Sequence, residues 1–482
     1  MARSGGEKFS KMIEEKNKIL KDENVNWVQA QFVDLCGYLR SVSVPAKELY
    51  DGDFWFKGEN FDGSSVKGFA QVDCSDMTLI PDAKTLQVMP YGEGEQKSAR
   101  VVCDIVNPRT GKPFEGDPRA IAKRAMENAE NIGFDKTWFS PELEFYVFRN
   151  TYEAMIHNDI WTNDHTRGGG IHSIIPNVLP AVGYTMKPKS AYFATAPIDE
   201  TESFRNEFSS LLLKMGIKVK YHHHEGGCHQ QEVEFAAMPS VVEAADASVL
   251  YKLLSRLVAK RHGLLVTYMP KPMFADAGSG MHAHIHLWKK DKNVFYDEKD
   301  NYKLSQTARY FIGGILEHAR AMCAITNPTI NSYRRLVPGF EAPTYIAWSA
   351  MNRSALIRIP AYKGDPLKVN IEPRHADTSA NPYLAFAVML HSGLEGIKKK
   401  IDPGEPVNEN LYKMSAQRRN ELGIKTLPQT LGEAIEEMES DEVIKEALGK
   451  QAFESYLELK KTEWSNFCTY VSPWEHHHYF DI

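Results

Sequence analysis

Three strand-like segments that carry glutamate and histidine at alternate positions constrain the fold of this chain most. They read Ser-Pro-Glu-Leu-Glu-Phe over 140–145, Gln-Glu-Val-Glu-Phe over 231–235 and Met-His-Ala-His-Ile-His over 281–286. Residues two apart on a strand point to the same face. We therefore expect three strands to present their polar side chains together, as the wall of a polar cavity.

Two alternatives accompany this interpretation. Glu232 and Glu234 either both project into the cavity, or the twist of the strand carries one of them out to solvent. Each glutamate, taken alone, is equally typical of a salt-bridge partner on a half-exposed strand. We favour a site because the aromatic residues that flank these glutamates must be buried.

Composition and charge narrow the class of protein. The chain has 482 residues, a net charge of −6 and no concentrated basic segment, so we expect neither a nucleic-acid nor a membrane partner. Six cysteines without a C-x-x-C motif indicate reduced thiols. The N-terminus lacks the apolar segment of a signal peptide, and no run of roughly 18 apolar residues occurs. These features predict a soluble, cytoplasmic protein.

The order of predicted elements indicates an α+β protein of two domains. Residues 107–117 are rich in turn formers and follow a helix (8–23) and short strands within 27–44, 76–80 and 100–106, with a polar loop at 58–68. We therefore predict a small β-rich domain over 1–110 and a larger domain over 111–482. In the second domain we predict helices from 118 to 133 and over 242–262, 306–325, 382–400 and 431–448, and strands over 355–360 and 368–374.

The polar residues favour a hard divalent cation. Carboxylate oxygens with one imidazole and no cysteine suit Mg²⁺ or Mn²⁺ better than zinc. The candidate ligands are Glu142, Glu144, Glu225, Glu232, His282 and Glu372.

A second cluster is cationic and predicts an anion site. Guanidinium groups bind carboxylate and phosphate in pairs of hydrogen bonds, although a solvated basic face is the alternative. Metals beside arginines point to phosphoryl transfer, yet the sequence has no P-loop or dinucleotide motif. The cluster comprises Arg334, Arg335, Arg353, Arg358 and Arg374.

These motifs, in this order, resemble the glutamine synthetase family, specifically its type I bacterial and archaeal branch. The similarity extends over nearly the whole chain, with F-D-G-S-S at 61–65, S-P-E-L-E-F at 140–145, and K-P-M-F-A-D-A-G-S-G-M-H at 271–282. It continues with N-S-Y-R-R-L-V-P-G-F-E-A-P at 331–343, N-R-S-A-L-I-R-I-P at 352–360 and I-E-P-R at 371–374. Any one motif is moderately specific, but the ordered set is very specific.

The resemblance implies a fold and a reaction. It implies a small N-terminal β-grasp-like domain and a catalytic domain in which helices surround a funnel of antiparallel strands at a subunit boundary. The reaction joins glutamate and ammonia with ATP through γ-glutamyl phosphate. It also implies two or more divalent ions per active site, the first held by Glu144, Glu225 and Glu232 and the second by Glu142, His282 and Glu372.

The resemblance further assigns substrate contacts. Arg335 and the backbone of Gly278 resemble the groups that hold the glutamate α-carboxylate. Arg353, Arg358 and Arg374 resemble those that neutralise the phosphates and the γ-carboxyl group. Glu144, Glu341 and Arg374 are expected to contact substrate, and the expected nucleotide contacts are His284, His286, Lys368, Asn370, Arg353 and Arg358.

Two further roles concern ammonia. Glu341 resembles the flap residue that closes over the acyl phosphate and excludes water. Asp62, with Ser65, is expected to reach in from a neighbouring subunit to bind ammonium and take its proton. The resemblance implies a homo-oligomer of two stacked hexameric rings, with small regulatory proteins or metabolites as further partners.

Several positions depart from the family pattern, and most of them surround the expected nucleotide pocket. Asn370 replaces an arginine, His286 a serine, Lys220 an acidic residue and Ala277 an asparagine.

Two other functions stand beside glutamine synthesis: a γ-glutamyl ligase that uses a polyamine or another amine, and a catalytically inactive scaffold. Asp62 and Glu341 favour ammonia over a bulky amine. The complete set of six metal ligands argues against a scaffold.

Overall fold

A computed structural model describes residues 6–50, 53–70, 75–149, 186, 189–340, 342–350, 352–361 and 364–482. Its strands form three sheets. The strands are β1 (Trp27–Val33), β2 (Leu39–Pro45), β3 (Glu59–Asp62), β4 (Asp76–Pro81), β5 (Gln87–Val88), β6 (Ser98–Val106), β7 (Lys136–Phe148), β8 (Val219–His224), β9 (Gln230–Phe235), β10 (Leu265–Thr267), β11 (Met281–Lys289), β12 (Lys292–Asn293), β13 (Tyr345–Ser349), β14 (Ala355–Arg358) and β15 (Glu372–Pro373).

Helices surround these sheets. They are α1 (Glu7–Asp22), α2 (Lys47–Tyr50), α3 (Asp53–Lys57), α4 (Pro118–Asn131), α5 (Glu202–Lys214), α6 (Val241–Arg261), α7 (Gln306–Glu317), α8 (Ala319–Thr326), α9 (Ser332–Arg335), α10 (Pro382–Lys399), α11 (Ala416–Glu421), α12 (Leu431–Ser440), α13 (Glu442–Leu448), α14 (Lys450–Cys468) and α15 (Pro473–Tyr479).

The first sheet is built from the N-terminal strands in the order β2-β1-β6-β4-β3, with β5 added to β6. Only the β1–β6 pair among these is parallel. β3 is therefore an edge strand, and it leads into the turn that contains Gly63–Ser65.

The second sheet has the order β12-β11-β7-β9-β8, with β10 also paired to β7, and all of its pairs are antiparallel. The third sheet, β13-β14-β15, approaches the second because Ile371 exchanges backbone hydrogen bonds of 2.8 and 3.0 Å with Ile285 of β11. Ile371, the residue just before β15, therefore lies beside the polar strand β11.

Helix α10 lies at the centre of the helical layer and packs against α4, α6, α7 and α13. Its residues are almost continuously buried from Pro382 to Leu390, so it is apolar on all sides rather than amphipathic. Asn381 caps its N-terminus and Pro382 occupies the first turn.

Two helices that the sequence predicts as continuous are broken. The 306–325 helix is interrupted at His318, and the 431–448 helix is interrupted at Asp441, whose carboxylate caps the next helix through the amides of Val443 and Ile444. His318 Nδ1 lies 2.7 Å from Asp441 Oδ2, so the two breaks meet.

Two strands are shorter than the sequence predicts, and one segment predicted as a loop contains a strand. The 355–360 strand ends at Arg358, and the 368–374 strand is reduced to Glu372–Pro373 because Asp365 caps a short 3₁₀ turn that ends at Lys368. The predicted 58–68 loop contains β3. The sequence did not predict the longer helices α5, α14 and α15 or the short helices α2, α3, α9 and α11.

The cysteines that the structure describes are free thiols, and Cys74 lies outside the described residues. Within those same ranges, none of the helices combines the length and apolar character that crossing a membrane requires. The domain boundary at residue 110 stays a prediction.

A buried arginine joins the first sheet to the helical layer. The guanidinium of Arg119, at the start of α4, contacts Asp82 (3.0 Å), Asp104 (2.7 Å) and Asp246 (2.9 Å). Asp82 and Asp104 belong to the N-terminal sheet region, and Asp246 belongs to α6. Burial alone would lower the pKa of Arg119, but Asp246 and Asp104 raise it well above its usual range.

We expect Arg119→Met to destabilise the protein by about 3–5 kcal/mol, because it leaves three partly buried carboxylates without their shared cation. Urea unfolding at pH 7 measures this loss. Burial opposes ionisation of Asp104, but Arg119 and Lys123 hold its pKa below the usual value. A lowered folded-state pKa stabilises above the unfolded pKa of about 3.9 and loses that effect as the pH falls.

The difference between wild type and variant should therefore shrink below about pH 4. Arg124→Met on the same helix is the control, because Arg124 donates to the neutral carbonyl of Leu448. Equal losses for the two variants would contradict the expectation.

Candidate active site

The register of β7 with its two neighbours creates a continuous polar face. Glu142 of β7 lies opposite His282 of β11, and Glu144 lies opposite Glu232 of β9. Because alternate residues share a face, His284 joins His282 on the same side of the sheet. The three polar segments predicted from the sequence are therefore adjacent strands.

The first group of possible metal ligands is Glu142, His284 and Glu372, with their ligand atoms within 4.8 Å of one another. His284 Nε2 lies 2.7 Å from Glu142 Oε1, and His282 Nδ1 lies 3.3 Å from Glu142 Oε2. Both histidines thus contact the same carboxylate, and His284 completes the group in the position expected for His282.

The second group is His223, Glu225 and Glu232. His223 lies between the two carboxylates, with Nδ1 3.8 Å from Glu225 and Nε2 3.6 Å from Glu232. The sequence analysis did not select His223 as a ligand, although it stands two residues before Glu225 on a strand-like segment. The alternation used for the other strands would have identified it.

Glu144 lies beside this second group. Its Oε2 accepts hydrogen bonds from the backbone N–H of Gly280 (2.7 Å) and from the side chain of Gln230 (2.9 Å). Burial and the nearby Glu225 raise the pKa of Glu144 to about 8.

A third group contains Glu142, Glu232 and Glu234. It shares one carboxylate with each of the other groups, so it lies between them. Glu232 and Glu234 are 4% and 6% exposed, which decides between the two interpretations of this strand: both carboxylates project into the site.

The electrostatics of this face fit divalent cations. Burial, followed by repulsion from Glu142, Glu144, Glu225 and Glu234, raises the pKa of Glu232 well above its usual range. Carboxylates that oppose one another's ionisation in a buried site are compensated by a bound cation. The donor set of oxygens and imidazoles is the one that Mg²⁺ and Mn²⁺ accept.

Two histidines of β11, His282 and His284, have pKa values shifted in opposite directions. Burial and Arg374 lower the pKa of His282 to about 4, so this imidazole is neutral and suited to metal ligation. Burial also disfavours the charged form of His284, but the carboxylate of Glu142 raises its pKa to about 9.

The predicted arginines divide into buried and accessible groups. Arg335 is 2% exposed and donates to the carbonyls of His375 (2.7 Å) and Arg374 (3.1 Å). Arg374 and Arg358 both contact the fully buried Glu372. Arg353 and Arg334 are exposed. Three of the five arginines thus converge on one edge of the polar face.

Gly278 has no room for a side chain. A Cβ atom there would lie 2.7 Å from Cγ of Arg335 and 2.9 Å from the carbonyl oxygen of Pro270. Glycine at this position is therefore required for the packing of Arg335, the residue expected to bind the α-carboxylate.

An aromatic surface continues the polar face beyond the histidines of β11. The ring of His286 stacks on Trp138 at a centroid distance of 6.0 Å and accepts a 3.0 Å hydrogen bond from Nε1 of Trp288. Sequence reasoning selected His286 but missed both tryptophans. They follow from register, because Trp138 lies opposite His286 and Trp288 is two residues further along.

The other departures from the family pattern are hydrogen-bonded. Asn370 Oδ1 lies 2.8 Å from Nδ1 of His284, and the backbone carbonyl of Ala277 accepts a 2.6 Å hydrogen bond from Tyr146. Lys220 Nζ lies 3.3 Å from Glu234. Lys368 is exposed and lies 3.4 Å from Asp365.

The residues expected to handle ammonium lie in the first sheet. Asp62, at the end of β3, is exposed and accepts hydrogen bonds from Oγ of Ser64 (2.6 Å) and Oγ of Ser65 (2.8 Å). These hydrogen bonds, that of Ser64 first, lower the pKa of Asp62. Glu341 lies outside the described residues, so its expected role stays a prediction.

Two consecutive regions of the chain match models of one known protein family. A family model described as "Glutamine synthetase, beta-Grasp domain" matches residues 24–108, and "Glutamine synthetase, catalytic domain" matches residues 115–479. The glutamine synthetases of Archaeoglobus fulgidus and Thermotoga maritima are each 42% identical to the chain. They cover 98% and 96% of it, and the matched regions span 98% of each relative.

Solved structures give the same result. The Plasmodium falciparum glutamine synthetase covers 97% of the chain with a TM-score of 0.83 at 26% identity, and the match spans 98% of that structure. A structure titled "GmaS/ADP complex" covers 97% with a TM-score of 0.80 at 26% identity, and the match spans 99% of it. The predicted α+β fold is confirmed, with an N-terminal β-grasp domain and a large catalytic domain. The chain belongs to the glutamine synthetase family.

Proposed function

We propose that the protein is a glutamine synthetase, which uses ATP to join ammonia to the γ-carboxylate of L-glutamate and releases glutamine, ADP and phosphate. The observation that carries the proposal is the polar face on β7, β9 and β11, where buried glutamates and histidines meet buried arginines. Oxygen ligands for cations beside guanidinium groups are the requirements of phosphoryl transfer. The cytoplasm, as the site of nitrogen assimilation, is part of the proposal.

Divalent cations are part of the proposed site, and we favour Mg²⁺ or Mn²⁺. Glu144, Glu225 and Glu232, with His223, would hold one ion, and Glu142, Glu372 and a histidine of β11 would hold the other. When bound, these ions supply charge neutralisation for the ATP phosphates and for the substrate carboxylate.

Glutamate binding would rest on Arg335. Its guanidinium is fixed by two backbone carbonyls, with Gly278 packed against its side chain. A guanidinium held in this way can pair with the α-carboxylate without losing side-chain entropy on binding. Glu144 and Arg374 adjoin this position and are proposed to contact the same substrate.

The nucleotide would extend from the metal ligands along β11. His284 and Asn370 contact each other beside Glu142. The stacked rings of Trp138 and His286 offer a flat surface further along the same face, suited to a base. A similar structure is titled as an ADP complex, which supports nucleotide binding by a protein of this fold. Lys368 is exposed and would reach the phosphates from the side.

The reaction would proceed in two transfers. The γ-carboxylate of glutamate attacks the γ-phosphorus of ATP, and ADP leaves. Arg353, Arg358 and Arg374 would offset the charge on the transferred group. The carboxylate of Asp62 takes a proton from ammonium, and the resulting ammonia attacks the acyl carbon. The bond from the acyl carbon to the phosphate oxygen then breaks, and the second proton lost from nitrogen leaves with the phosphate.

Asp62 and Ser65 would act in the site of a neighbouring subunit. Both are exposed on the edge of the first sheet, where a partner chain can approach. The lowered pKa of Asp62 keeps its carboxylate anionic and able to attract ammonium. We propose a homo-oligomer with shared sites, and a dodecamer of two hexameric rings as its form. Glu341 would close over the acyl phosphate, and small regulatory proteins or metabolites would be additional partners.

Other functions are less favoured. A ligase for a polyamine or another amine would need an open pocket in place of the anionic group at Asp62. An inactive homologue would need loss of metal ligands, whereas the expected ligands are all glutamate or histidine in this chain.

Phosphate release from ATP, glutamate and Mg²⁺ should depend on ammonium and yield glutamine, with no comparable stimulation by larger amines. Asp62→Ala should reduce ammonium-dependent turnover about 10²–10⁴-fold. Asp53→Ala, which replaces another exposed aspartate of the same region, is the control. Stimulation only by a larger amine would show that this amine, and not ammonia, is the substrate. Full activity of Asp62→Ala would contradict the proposed role of Asp62.

Sharing of sites between subunits has its own test. Oligomers that mix an Asp62→Ala chain with a Glu232→Gln chain should regain activity, because some sites combine Asp62 of one chain with Glu232 of the other. Each variant alone should be inactive. Mixed oligomers without activity would show that Asp62 acts in the active site of its own chain.

Gly278→Ala should raise the KM for glutamate about 10-fold or more and leave the KM for ATP nearly unchanged, because the new methyl group displaces Arg335. Steady-state kinetics with each substrate varied in turn make the measurement, with the KM for ATP as internal control. Equal effects on both KM values would place Gly278 in the packing of the fold rather than in glutamate binding.

A further inference from the structure

One lysine, whose side chain is 37% exposed, lies at the edge of the acidic cluster of the site. Lys220 Nζ lies 3.3 Å from Oε2 of Glu234 and 3.1 Å from Oγ of Ser140. The Ser140 hydroxyl donates to the carbonyl of Phe235 (2.9 Å), so it accepts from the ammonium group. Lys220 is therefore held by two acceptors on neighbouring strands.

A β-bulge brings this lysine to the cluster. Val219 pairs with Phe235 and Tyr221 pairs with Glu234, so Lys220 is an extra residue in β8. In a regular strand Lys220 and Tyr221 would point to opposite faces, but a bulge re-aims a side chain. As a result, the Lys220 ammonium and the Tyr221 hydroxyl both contact the carboxylate of Glu234.

Glu234, which Lys220 and Tyr221 contact, belongs to the third group of possible metal ligands. Glu142 is also a member of the first group and Glu232 is also a member of the second group, whereas Glu234 belongs to the third group alone. Three carboxylates within 4.8 Å would attract a third cation. Here, the position beside Glu234 already has a positive charge.

We propose that Lys220 is the built-in cation of the Glu142–Glu232–Glu234 cluster, and that it limits each site to two divalent ions. The inference rests on the proposed function, because it concerns the ions of that site. Lys220 is a positioning residue: its charge fixes Glu234 and leaves Glu142 and Glu232 to the two other groups. The chemical class of the excluded ligand is a hard divalent cation.

The test counts Mn²⁺ bound to the nucleotide-free oligomer, by equilibrium dialysis with electron paramagnetic resonance of the free ion. Wild type should bind about two ions per chain, and Lys220→Met should gain a third. Lys220→Arg keeps the charge and should stay at two. The double variant Lys220→Met/Glu234→Gln should return to two, because the carboxylate particular to the third group is lost.

Lys218→Met is the matched control, since Lys218 is an exposed lysine two residues earlier, and it should bind two ions. Should Lys220→Met fail to assemble, Lys220→Gln removes the charge but keeps a hydrogen-bond donor and should also gain the third ion. Three ions in wild type, or two in both neutral variants, would overturn the inference. Absence of any bound ion in wild type would instead contradict the metal requirement of the proposed function.

Discussion

The antiparallel register of β7 with β9 and β11 is the constraint on which the rest of the site depends. It sets Glu144 opposite Glu232 and Glu142 opposite His282. A shift of one residue in either pair would turn the polar side chains to the opposite face of the sheet. The apolar residues between them, such as Leu143 and Ile285, are fully buried on that opposite face, so the core itself holds the register.

This register concentrates negative charge, and the surrounding chain compensates it in several ways. Burying an ion costs several kcal/mol unless a partner is supplied. Glu372 is paired with Arg358 and Arg374, Glu142 with two histidines, and Glu144 with a backbone N–H and an amide. Burial and repulsion from four neighbouring carboxylates raise the pKa of Glu232 well above its usual range. Apart from Glu372, which is paired with arginines, and Glu234, which is paired with Lys220, the cluster is therefore organised for cations that the chain does not itself provide.

Local periodicity was sufficient to predict the polar face. The two-residue repeat around Glu142, Glu232 and His282 depends only on strand geometry, and the same repeat would have led to His223. Arg335 was selected as a member of the arginine cluster, and the family resemblance added its role in binding the α-carboxylate. It lies in a four-residue helix where no periodic pattern marks it.

Other features depend on contacts between distant segments and were not predictable. The helix breaks at His318 and Asp441 meet in space, so neither is determined by its own neighbours alone. Trp138 became part of the site through its cross-strand partner His286. The bulge at Lys220 required knowledge of how β8 pairs with β9, which a single strand does not reveal.

The contacts of Arg119 have a consequence for how the protein can be divided. The guanidinium of Arg119 forms ion pairs with carboxylates of the N-terminal sheet region and of helix α6 at the same time. Cutting the chain between the two regions would leave Asp82 and Asp104 on one fragment and Arg119 on the other, with unbalanced charges on both newly exposed surfaces. We therefore expect the two regions to unfold together. Recombining the N-terminal sheet with a catalytic region from a relative would require that relative to supply an arginine at the position of Arg119.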